Sequence, residues 1–199
     1  MDFWDKISDL YDAAEAINSS VYSEMTATVE RMVPEGAKVL DCAAGTGALS
    51  LAAAKKAESV LCTDLSEKML ANARKKAASR GAQNIEFEVR NLFRLDDPDE
   101  TYDVVIAGNV LHLLTDPQAA VRELYRVTKK GGKLLLPTFT SITKDPMLIR
   151  LYKLAGFSPE HDYTPQEYKD MLLEMGYDVK AKLIRGRIPC TFAVIKKPL

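Results

Sequence analysis

Residues 39–50 constrain this chain more than any other stretch. They read Val-Leu-Asp-Cys-Ala-Ala-Gly-Thr-Gly-Ala-Leu-Ser: a short apolar run, an acid, a loop of very small residues and the start of a helical pattern. An apolar run bounded by glycine predicts a buried strand, and the alanine-rich stretch after Gly47 predicts a helix packed on it. Gly45 and Gly47 would let the backbone turn sharply and approach a ligand at the helix N-terminus. The stretch therefore predicts a strand–turn–helix cradle for a phosphate or a nucleotide.

A second apolar run, Val-Leu-Cys-Thr at residues 60–63, ends at Asp64. On a parallel strand beside the glycine turn, this carboxylate is placed to accept hydrogen bonds from both ribose hydroxyls of an adenosine ligand. Each signal alone is weak, because Gly-Thr-Gly is common in loops and an acid at a strand end often only caps a helix. Their combination, with a helix opening at Ser66, favours a nucleotide-type ligand.

Strand and helix patterns alternate from Ala37 onward. Strands are predicted at residues 37–41, 60–63, 85–90, 102–107 and 133–136, and helices at residues 48–56, 66–80 and 116–129. Strands that alternate with helices of this length indicate a parallel sheet with helices on both faces, the doubly wound α/β arrangement.

The two ends of the chain depart from this alternation. Apolar residues at helical spacing predict a helix over residues 3–16, followed by a break at residues 18–20 that caps a second helix ending at Val33. Near the other end, predicted helices at about 146–155 and 165–175 precede two short strands. These strands, at residues 178–184 and 191–196, are separated by only six residues. So short a connection cannot hold a crossover helix, so the two strands must be antiparallel.

We therefore predict a single domain over residues 1–199, built on a Rossmann-like, mostly parallel seven-stranded sheet with a C-terminal antiparallel hairpin. A helical cover (1–36) would precede a cofactor-binding core (37–136). A helical insertion (137–176) would separate that core from the terminal hairpin (177–199).

Charge and cysteine content limit the partners of the chain. The formal net charge is −1 and the pI is about 6.2, which disfavours nucleic acid and anionic membranes as partners. The three cysteines lie far apart without a Cys-x-x-Cys pair, which argues against a disulfide framework and a zinc site. The acidic N-terminal residues do not resemble a signal peptide, and no apolar run approaches membrane-spanning length. We expect a cytoplasmic monomer or homodimer that uses no metal and acts on a small molecule.

Several motifs resemble those of the class I S-adenosylmethionine-dependent methyltransferases, particularly their small-molecule branch. The glycine signature of that family matches residues 41–47, and its Asp-Leu-Ser-x-x-Met run matches residues 64–69. Residues 102–112 are similar to the fourth motif, and Gly131-Gly132 is similar to the turn before the fifth strand. The resemblance covers about residues 39–136, and the position of the predicted hairpin agrees with it.

The resemblance implies a cofactor, S-adenosylmethionine, and a product, S-adenosylhomocysteine. The implied activity is methyl transfer to a small-molecule acceptor by in-line displacement, for which the enzyme mainly aligns the nucleophile and excludes water. The implied cofactor-binding residues are Tyr11, Asp41, Ala43, Gly45, Thr46, Gly47, Asp64, Leu65, Met69, Asn91, Leu92, Gly108 and Asn109. For Leu65, Met69 and Leu92, ordinary core packing is the alternative.

Two positions depart from the family pattern. Ala43 stands where the family most often has its first glycine, and alanine is tolerated there only if its φ is negative. Asn91 stands where the family commonly has an aspartate that accepts a hydrogen bond from the adenine amino group. An asparagine keeps an acceptor oxygen, so we expect that role to survive with less charge.

His112, one of two histidines, is the candidate catalytic residue. The resemblance places it just past the fourth strand, near the methyl donor, where it could act as a general base. Packing or helix capping is the alternative for a histidine in an apolar run. The acceptor pocket would be closed by the N-terminal helix, with Trp4 and Tyr11, and by aromatic residues of the inserted helices. Such a pocket would suit a small, partly apolar acceptor.

Two rival functions remain open from the sequence. A nicotinamide-dependent oxidoreductase is the first, because residues 45–50 lie close to the dinucleotide fingerprint and Tyr125 and Lys129 match a Tyr-x-x-x-Lys pair. However, the helix that carries this pair precedes the predicted strand at 133–136, whereas in short-chain dehydrogenases it follows a strand with a catalytic serine. A non-catalytic nucleotide-binding module is the second rival.

Overall fold

A seven-stranded sheet organises the fold, which the computed structural model describes for residues 18–140 and 159–199. In chain order its strands are β1 (Lys38–Cys42), β2 (Ser59–Asp64), β3 (Ile85–Val89), β4 (Tyr102–Ala107), β5 (Thr128–Phe139), β6 (Val179–Ile184) and β7 (Cys190–Lys196). Across the sheet they lie in the order β3-β2-β1-β4-β5-β7-β6. The first five strands pair in parallel, whereas β7 runs antiparallel to both of its neighbours. The predicted doubly wound sheet and its C-terminal antiparallel hairpin are thereby confirmed.

Helices cover both faces of this sheet. They are α1 (Ser19–Met32), α2 (Ala48–Ala53), α3 (Glu67–Ser79), α4 (Pro117–Val127) and α5 (Pro165–Glu174), with a 3₁₀ turn at Leu111–Leu113. Val39 belongs to a buried cluster with residues of α1 and α2, whereas the next residue, Leu40, belongs to a cluster with residues of α4 and α5. Val104 and Val105 alternate in the same way. Successive side chains of a strand point to opposite faces, so the central strands are apolar on both sides.

Strand β5 begins earlier than the sequence predicts. The helix predicted to reach residue 129 ends at Val127, and Thr128 already pairs with Tyr102 of β4. Gly131 and Gly132 therefore lie inside the strand, at a shift of register between β4 and β5. A Cβ on Gly132 would lie 2.8 Å from Asp103 O. The glycine pair thus permits a close approach of two strands and does not separate a helix from a strand.

Two further boundaries differ from the predicted ones. Helix α2 ends at Ala53, well before residue 56, because the chain closes a turn in which Lys56 N–H donates to Ala53 O. Asn18 occupies the N-cap position of α1, but its side chain makes no capping hydrogen bond. The Asn18 amide instead bonds the backbone N–H and carbonyl of Ile188 in the β6–β7 loop. This contact ties the start of α1 to the terminal hairpin.

The helices predicted at residues 3–16 and 146–155 lie outside the described residues, as do Trp4 and Tyr11. In the described ranges, 18–140 and 159–199, none of the helices has the length and apolar character needed to span a membrane.

Candidate functional site

The turn after β1 is held against the end of β2. Ala44 N–H donates to Thr63 O (2.9 Å), and Gly45 N–H donates to Asp64 Oδ2 (2.8 Å). The backbone is left-handed at Ala43, with φ of 50°, and at Gly45, with φ of 56°. The expectation that alanine is tolerated at this position only with a negative φ is therefore wrong. A left-handed alanine costs about 1–2 kcal/mol, which the two hydrogen bonds that anchor the turn can offset.

Asp41, at the end of β1, is a buried acid that is only partly satisfied. Its side chain is 1% exposed, and Ser50 Oγ donates to its Oδ2 at 2.6 Å. Its Oδ1 has no hydrogen-bond partner in the described structure. Burial raises the pKa of Asp41 to about 7, and the nearby charge of Asp64 acts in the same direction. A buried acid of this kind is suited to a ligand that brings a positively charged donor.

Asp64 organises the neighbouring turn. Besides the bond from Gly45, its Oδ1 accepts the N–H of Ser66 at 2.9 Å. The Ser66 hydroxyl in turn accepts the N–H of Met69 at 3.1 Å and so caps α3. The carboxylate therefore links the glycine turn to the start of α3, with an oxygen on each side.

A groove of about 180 Å³ opens beside Asp64 at the carboxyl ends of the strands. Its lining includes nine residues that the resemblance implies: Ala43, Gly45, Asp64, Leu65, Met69, Asn91, Leu92, Gly108 and Asn109. Leu65 is 59% exposed and Phe93 is 41% exposed, so two large apolar side chains border the groove. The side-chain oxygen of Asn91 accepts the N–H of Phe93 at 3.0 Å. A groove with a mostly apolar lining and a few polar groups, among them the Asp64 carboxylate and the Arg90 side chain, suits a nucleoside.

Sequence reasoning missed part of this lining. The groove is also formed by Arg90, Phe93, Val110, Leu113 and Leu114. The sequence could have indicated these five residues, because they lie directly beside predicted residues, after β3 and after β4.

A second, smaller cavity of about 20 Å³ adjoins the groove. Its lining residues are Tyr22, Met25, Asp41, Ala43, Ala44, Ala48, Leu49, Gly108 and Asn109. Tyr22 and Met25 come from α1, one turn apart, and were not predicted as site residues. Ala43, Gly108 and Asn109 line both spaces. A ligand that fills both would therefore pass these three residues.

Gly108 and Asn109 form the junction after β4. A Cβ on Gly108 would lie 2.5 Å from Cδ1 of Leu49, so a larger residue here would require the Leu49 side chain to shift. Asn109 has a positive φ of 54°, and its backbone N–H donates to Pro137 O at 2.7 Å. Its side-chain Oδ1 is buried without a hydrogen-bond partner among the residues that the structure describes.

Three predicted site residues line neither of these two cavities. Thr46 is fully buried, and its hydroxyl accepts a hydrogen bond from Lys76 Nζ at 2.7 Å. Gly47 has a φ of 79° at the start of α2, where a Cβ would lie 3.0 Å from Cβ of Ala73. His112 is the third, and Tyr11 lies outside the described residues.

His112 lies in the 3₁₀ turn after β4 and is 1% exposed. Its ring meets that of Phe139 edge-on, with centroids 6.1 Å apart. The backbone N–H of His161 donates to His112 O at 3.1 Å. Burial, reinforced by the charge of His161, lowers the pKa of His112 to about 4. Its imidazole is therefore neutral at pH 7, and burial also makes it a weaker base than an ordinary histidine.

The Tyr-x-x-x-Lys match has a structural explanation. Tyr125 lies on α4, and its ring is 4.6 Å from that of Tyr177. Lys129 belongs to β5 and donates to Asp103 at 2.7 Å. The two residues therefore lie on different elements and do not share a helix face, as the dehydrogenase pair would require.

Comparisons with known proteins point to one family. Residues 39–132 match the model of a methyltransferase domain. Over 127 residues the chain is 35% identical to the ubiquinone/menaquinone biosynthesis C-methyltransferase UbiE of Hydrogenovibrio crunogenus, covering 62% of this chain and 50% of that protein. It is 33% identical over 131 residues to a phosphatidylethanolamine N-methyltransferase of Cereibacter sphaeroides, covering 65% of this chain and 64% of the relative. The chain thus spans about half to two thirds of the length of these curated relatives.

The fold has close neighbours among solved structures. The protein solved in complex with the Trm112 methyltransferase activator of Haloferax volcanii superposes with a TM-score of 0.82 at 18% identity, over 100% of this chain and 99% of that one. At this identity the likeness shows the fold alone. The domain match over residues 39–132 and the similar curated proteins support a class I S-adenosylmethionine-dependent methyltransferase.

Proposed function

We propose that this chain transfers a methyl group from S-adenosylmethionine to a small-molecule acceptor and releases S-adenosylhomocysteine. The observation that supports this most is the pair of adjoining cavities: an apolar groove beside Asp64 and a small acidic pocket at Asp41, which share Ala43, Gly108 and Asn109. Their chemistry matches the two ends of the cofactor, a nucleoside and an amino acid.

The acidic pocket fits the methionine end. The unpartnered Oδ1 of Asp41 is a buried acceptor, and the α-ammonium of the cofactor would be the donor that it lacks. A cation at this position would also favour the ionised form of Asp41.

The groove fits the adenosine end. The carboxylate oxygens of Asp64 each accept one backbone N–H, and a carboxylate oxygen has room for another donor such as a ribose hydroxyl. Leu65 and Met69 would cover one face of the adenine, with Asn91 and Leu92 at its edge.

S-adenosylmethionine supplies a methyl group that is already activated by a positively charged sulfur. When bound, it would give this methyl group to the acceptor atom, and the electron pair of the methyl–sulfur bond would stay on the sulfur. The residues of the chain therefore mainly have to bind, orient and exclude water. The proton of an acceptor hydroxyl, thiol or amine must also leave, and His112, neutral at pH 7, is the residue that we propose to accept it.

The acceptor class is proposed from the setting of the site. The groove is bordered by apolar side chains, and the two curated relatives are named for quinone and phospholipid methylation. We therefore propose a small, partly apolar acceptor. The near-neutral net charge gives no basis for a nucleic acid substrate.

Calorimetry tests the cofactor assignment. We expect heat of binding with S-adenosylmethionine or S-adenosylhomocysteine, and none comparable with NAD or NADP. Asp64→Ala should weaken binding by about 1.5–3 kcal/mol, because a charge-assisted pair of hydrogen bonds is lost. Asp103→Ala is the matched control, since Asp103 also accepts a backbone N–H, from Lys38 at 2.8 Å, at the opposite end of the strands. Tighter binding of NAD than of S-adenosylmethionine would contradict the proposal.

The role of His112 has its own test. His112→Ala should bind the cofactor nearly as tightly as the parent but lose about 10²–10⁴-fold in turnover with an acceptor that must give up a proton. Turnover is read as S-adenosylhomocysteine release. A loss of only a few-fold, in a folded variant, would mean that His112 is structural and that alignment alone carries the reaction.

A further inference from the structure

Asn18, at the start of α1, directs its side chain away from its own helix. An asparagine at an N-cap position ordinarily accepts a backbone N–H of the first turn, but Asn18 makes no such bond in the described structure. Instead, its Nδ2 donates to Ile188 O at 2.9 Å, and Ile188 N–H donates to its Oδ1 at 3.3 Å. The residue is only 2% exposed. Both polar atoms of a buried amide are thus committed to a residue 170 positions away.

The loop between β6 and β7 approaches α1 at a second point. A Cβ on Gly186 would lie 2.2 Å from Cγ2 of Val21 and 3.3 Å from Asn18 Oδ1. Val21 is fully buried in the same core cluster as Met25 and Ile184. Because its side chain is short and stiff, it has no flexible end that could move aside. A larger residue at position 186 would therefore push the loop and the helix apart.

A third contact between α1 and the hairpin lies at the surface. Lys182 of β6 donates to Glu24 of α1, and the two side chains are 66% and 43% exposed. An ion pair that is this exposed adds little to stability. The buried contacts of Asn18 and Gly186 are therefore the ones that fix the first turn of α1 on the hairpin.

The first two turns of α1 form part of the wall of the acidic pocket. Tyr22 and Met25 line this pocket together with Asp41. The ring of Tyr22 lies 6.1 Å from that of Phe139, and Met25 is fully buried. The pocket has a volume of about 20 Å³, which is room for about one water-sized group. In so small a space, the position of α1 decides whether a ligand group fits beside Asp41 and whether water is excluded.

We propose that Asn18 is a positioning residue for the cofactor: its bonds to Ile188 hold α1 where it closes the acidic pocket around the amino-acid end of the ligand. This inference rests on the proposed function, in which the ammonium of the cofactor pairs with Asp41. Such a pair is strong only where water is excluded, because water screens the two charges. The terminal hairpin thereby contributes to cofactor binding, although none of its residues lines either cavity in the described structure.

Two ligands test this by calorimetry. S-adenosylhomocysteine and 5′-methylthioadenosine share the adenosine and the sulfur, but only the first has the amino-acid end. The ratio of their affinities therefore reports on the acidic pocket. Asn18→Ser removes the paired bonds to Ile188, while its hydroxyl is of the kind that commonly caps a helix. We expect this variant to lose about tenfold in affinity for S-adenosylhomocysteine and to bind 5′-methylthioadenosine within about threefold of the parent.

A second variant attacks the same contact from the hairpin. In Gly186→Ala the added Cβ would overlap Val21 and separate the loop from α1. It should show the same selective loss of affinity for S-adenosylhomocysteine.

Asn84→Ser is the matched control. Asn84 Nδ2 also bonds a distant segment, donating to Ala54 O and Ala57 O at 2.9 Å each. However, Asn84 lines neither the groove nor the acidic pocket. Its substitution should lower the midpoint of urea unfolding and leave the ratio of the two affinities unchanged.

The other outcomes overturn the inference. An equal loss for both ligands in Asn18→Ser would make the contact a general structural one. A selective loss in Asn84→Ser as well would mean that lower stability alone explains the effect. An unchanged ratio in Asn18→Ser or in Gly186→Ala would remove the hairpin from cofactor binding. If Asn18→Ser does not fold, Gly186→Ala decides.

The parent protein separates this inference from the proposed function. If the parent binds the two ligands equally well, the acidic pocket does not hold the amino-acid end, and the inference fails while the nucleoside groove stands. If the parent binds neither ligand, the proposed function itself fails, and this is seen before any variant is compared.

Discussion

Two polar regions lie toward opposite ends of strand β4, and they differ in whether their polar groups have hydrogen-bond partners. Beyond its carboxyl end, Asp41 and Asn109 each have a buried side-chain oxygen without a partner in the described residues. Near its amino end, Arg126 donates to both carboxylate oxygens of Glu123, to Asp99, and to the carbonyls of Leu95 and Asp97. The first region contains buried acceptors that lack donors among the described residues, whereas the acceptors of the second region have donors.

The comparison separates a binding role from a structural one. In the Arg126 network every guanidinium nitrogen is used, and the charge of Asp97 is also met by Arg90 at 2.6 Å and by the Tyr102 hydroxyl at 2.8 Å. Such a network stabilises a fold, and Arg126 has no guanidinium nitrogen left for a ligand. Unsatisfied buried atoms cost stability and are retained where a ligand completes them.

The pH dependence of stability should differ in sign between the two regions, and this is the largest effect we expect. The pKa of Asp41 rises from 3.8 to about 7 on folding. Between these values the unfolded chain loses the proton while the folded chain keeps it, so stability falls as pH rises from about 4 to about 7. The loss should reach about 4 kcal/mol relative to Asp41→Asn, which keeps the shape and does not titrate.

The contribution of Glu123 to stability should depend on pH in the opposite direction. Its hydrogen bonds from Arg126 lower its pKa, so its contribution to stability is present above the usual pKa of a glutamate and is lost as pH falls below it. Urea unfolding of the parent, Asp41→Asn and Glu123→Gln at several pH values measures both slopes. A pH-independent difference between the parent and Asp41→Asn would show that folding does not shift the pKa of Asp41.

Removing Arg126 should separate stability from binding. Arg126→Met leaves Glu123 and two carbonyls without their donors, and we expect a loss of about 2–3 kcal/mol in the free energy of unfolding, since the side chain is 31% exposed and water replaces part of the network. Arg126→Lys keeps the charge without the fork of donors and should recover only part of the loss. Cofactor affinity, measured by calorimetry, should stay unchanged in both. A large change in affinity would contradict the assignment of a purely structural role to the Arg126 network.

Much of the sheet could be predicted because its signals are local. Strand β4 was predicted at its observed bounds, Tyr102–Ala107, since an apolar run between polar residues needs no tertiary information. Strand β5 was misjudged because Gly131 and Gly132 have the composition of a turn, whereas pairing with β4 extends the strand past them. Pairing between distant segments overrides local preference here.

The site was less predictable for the same reason. The groove beside Asp64 follows from motifs that lie at strand ends, and most of its lining was predicted. The acidic pocket depends on where α1 places Tyr22 and Met25, which no local pattern specifies. The positive φ of Ala43 is set by bonds to the end of β2, against the preference of alanine.

The smallest effect on stability is expected from substituting one strained residue in each region. Ala43 and Glu100 have φ values of 50° and 57°, and glycine removes the cost of this conformation at both positions, although it adds freedom to the unfolded chain. We expect Ala43→Gly and Glu100→Gly each to stabilise the protein by about 0.5–1 kcal/mol in urea unfolding. Glu100 also lies 3.7 Å from Lys197 Nζ, but this contact is long and the Glu100 side chain is 39% exposed, so the ion pair adds little.

The informative result is the affinity of the Ala43 variant for S-adenosylhomocysteine. The bonds from Ala44 to Thr63 and from Gly45 to Asp64 shape the turn and involve no atom of the Ala43 side chain. Glycine at this position should therefore keep the affinity within about threefold of the parent while the fold gains stability, because these hydrogen bonds still hold the backbone of the turn. If Ala43→Gly destabilises the protein, the packing of the Ala43 methyl group outweighs the strain. If it is stable but binds much more weakly, that methyl group contacts the ligand, and the left-handed alanine is part of the binding site rather than a tolerated departure from glycine.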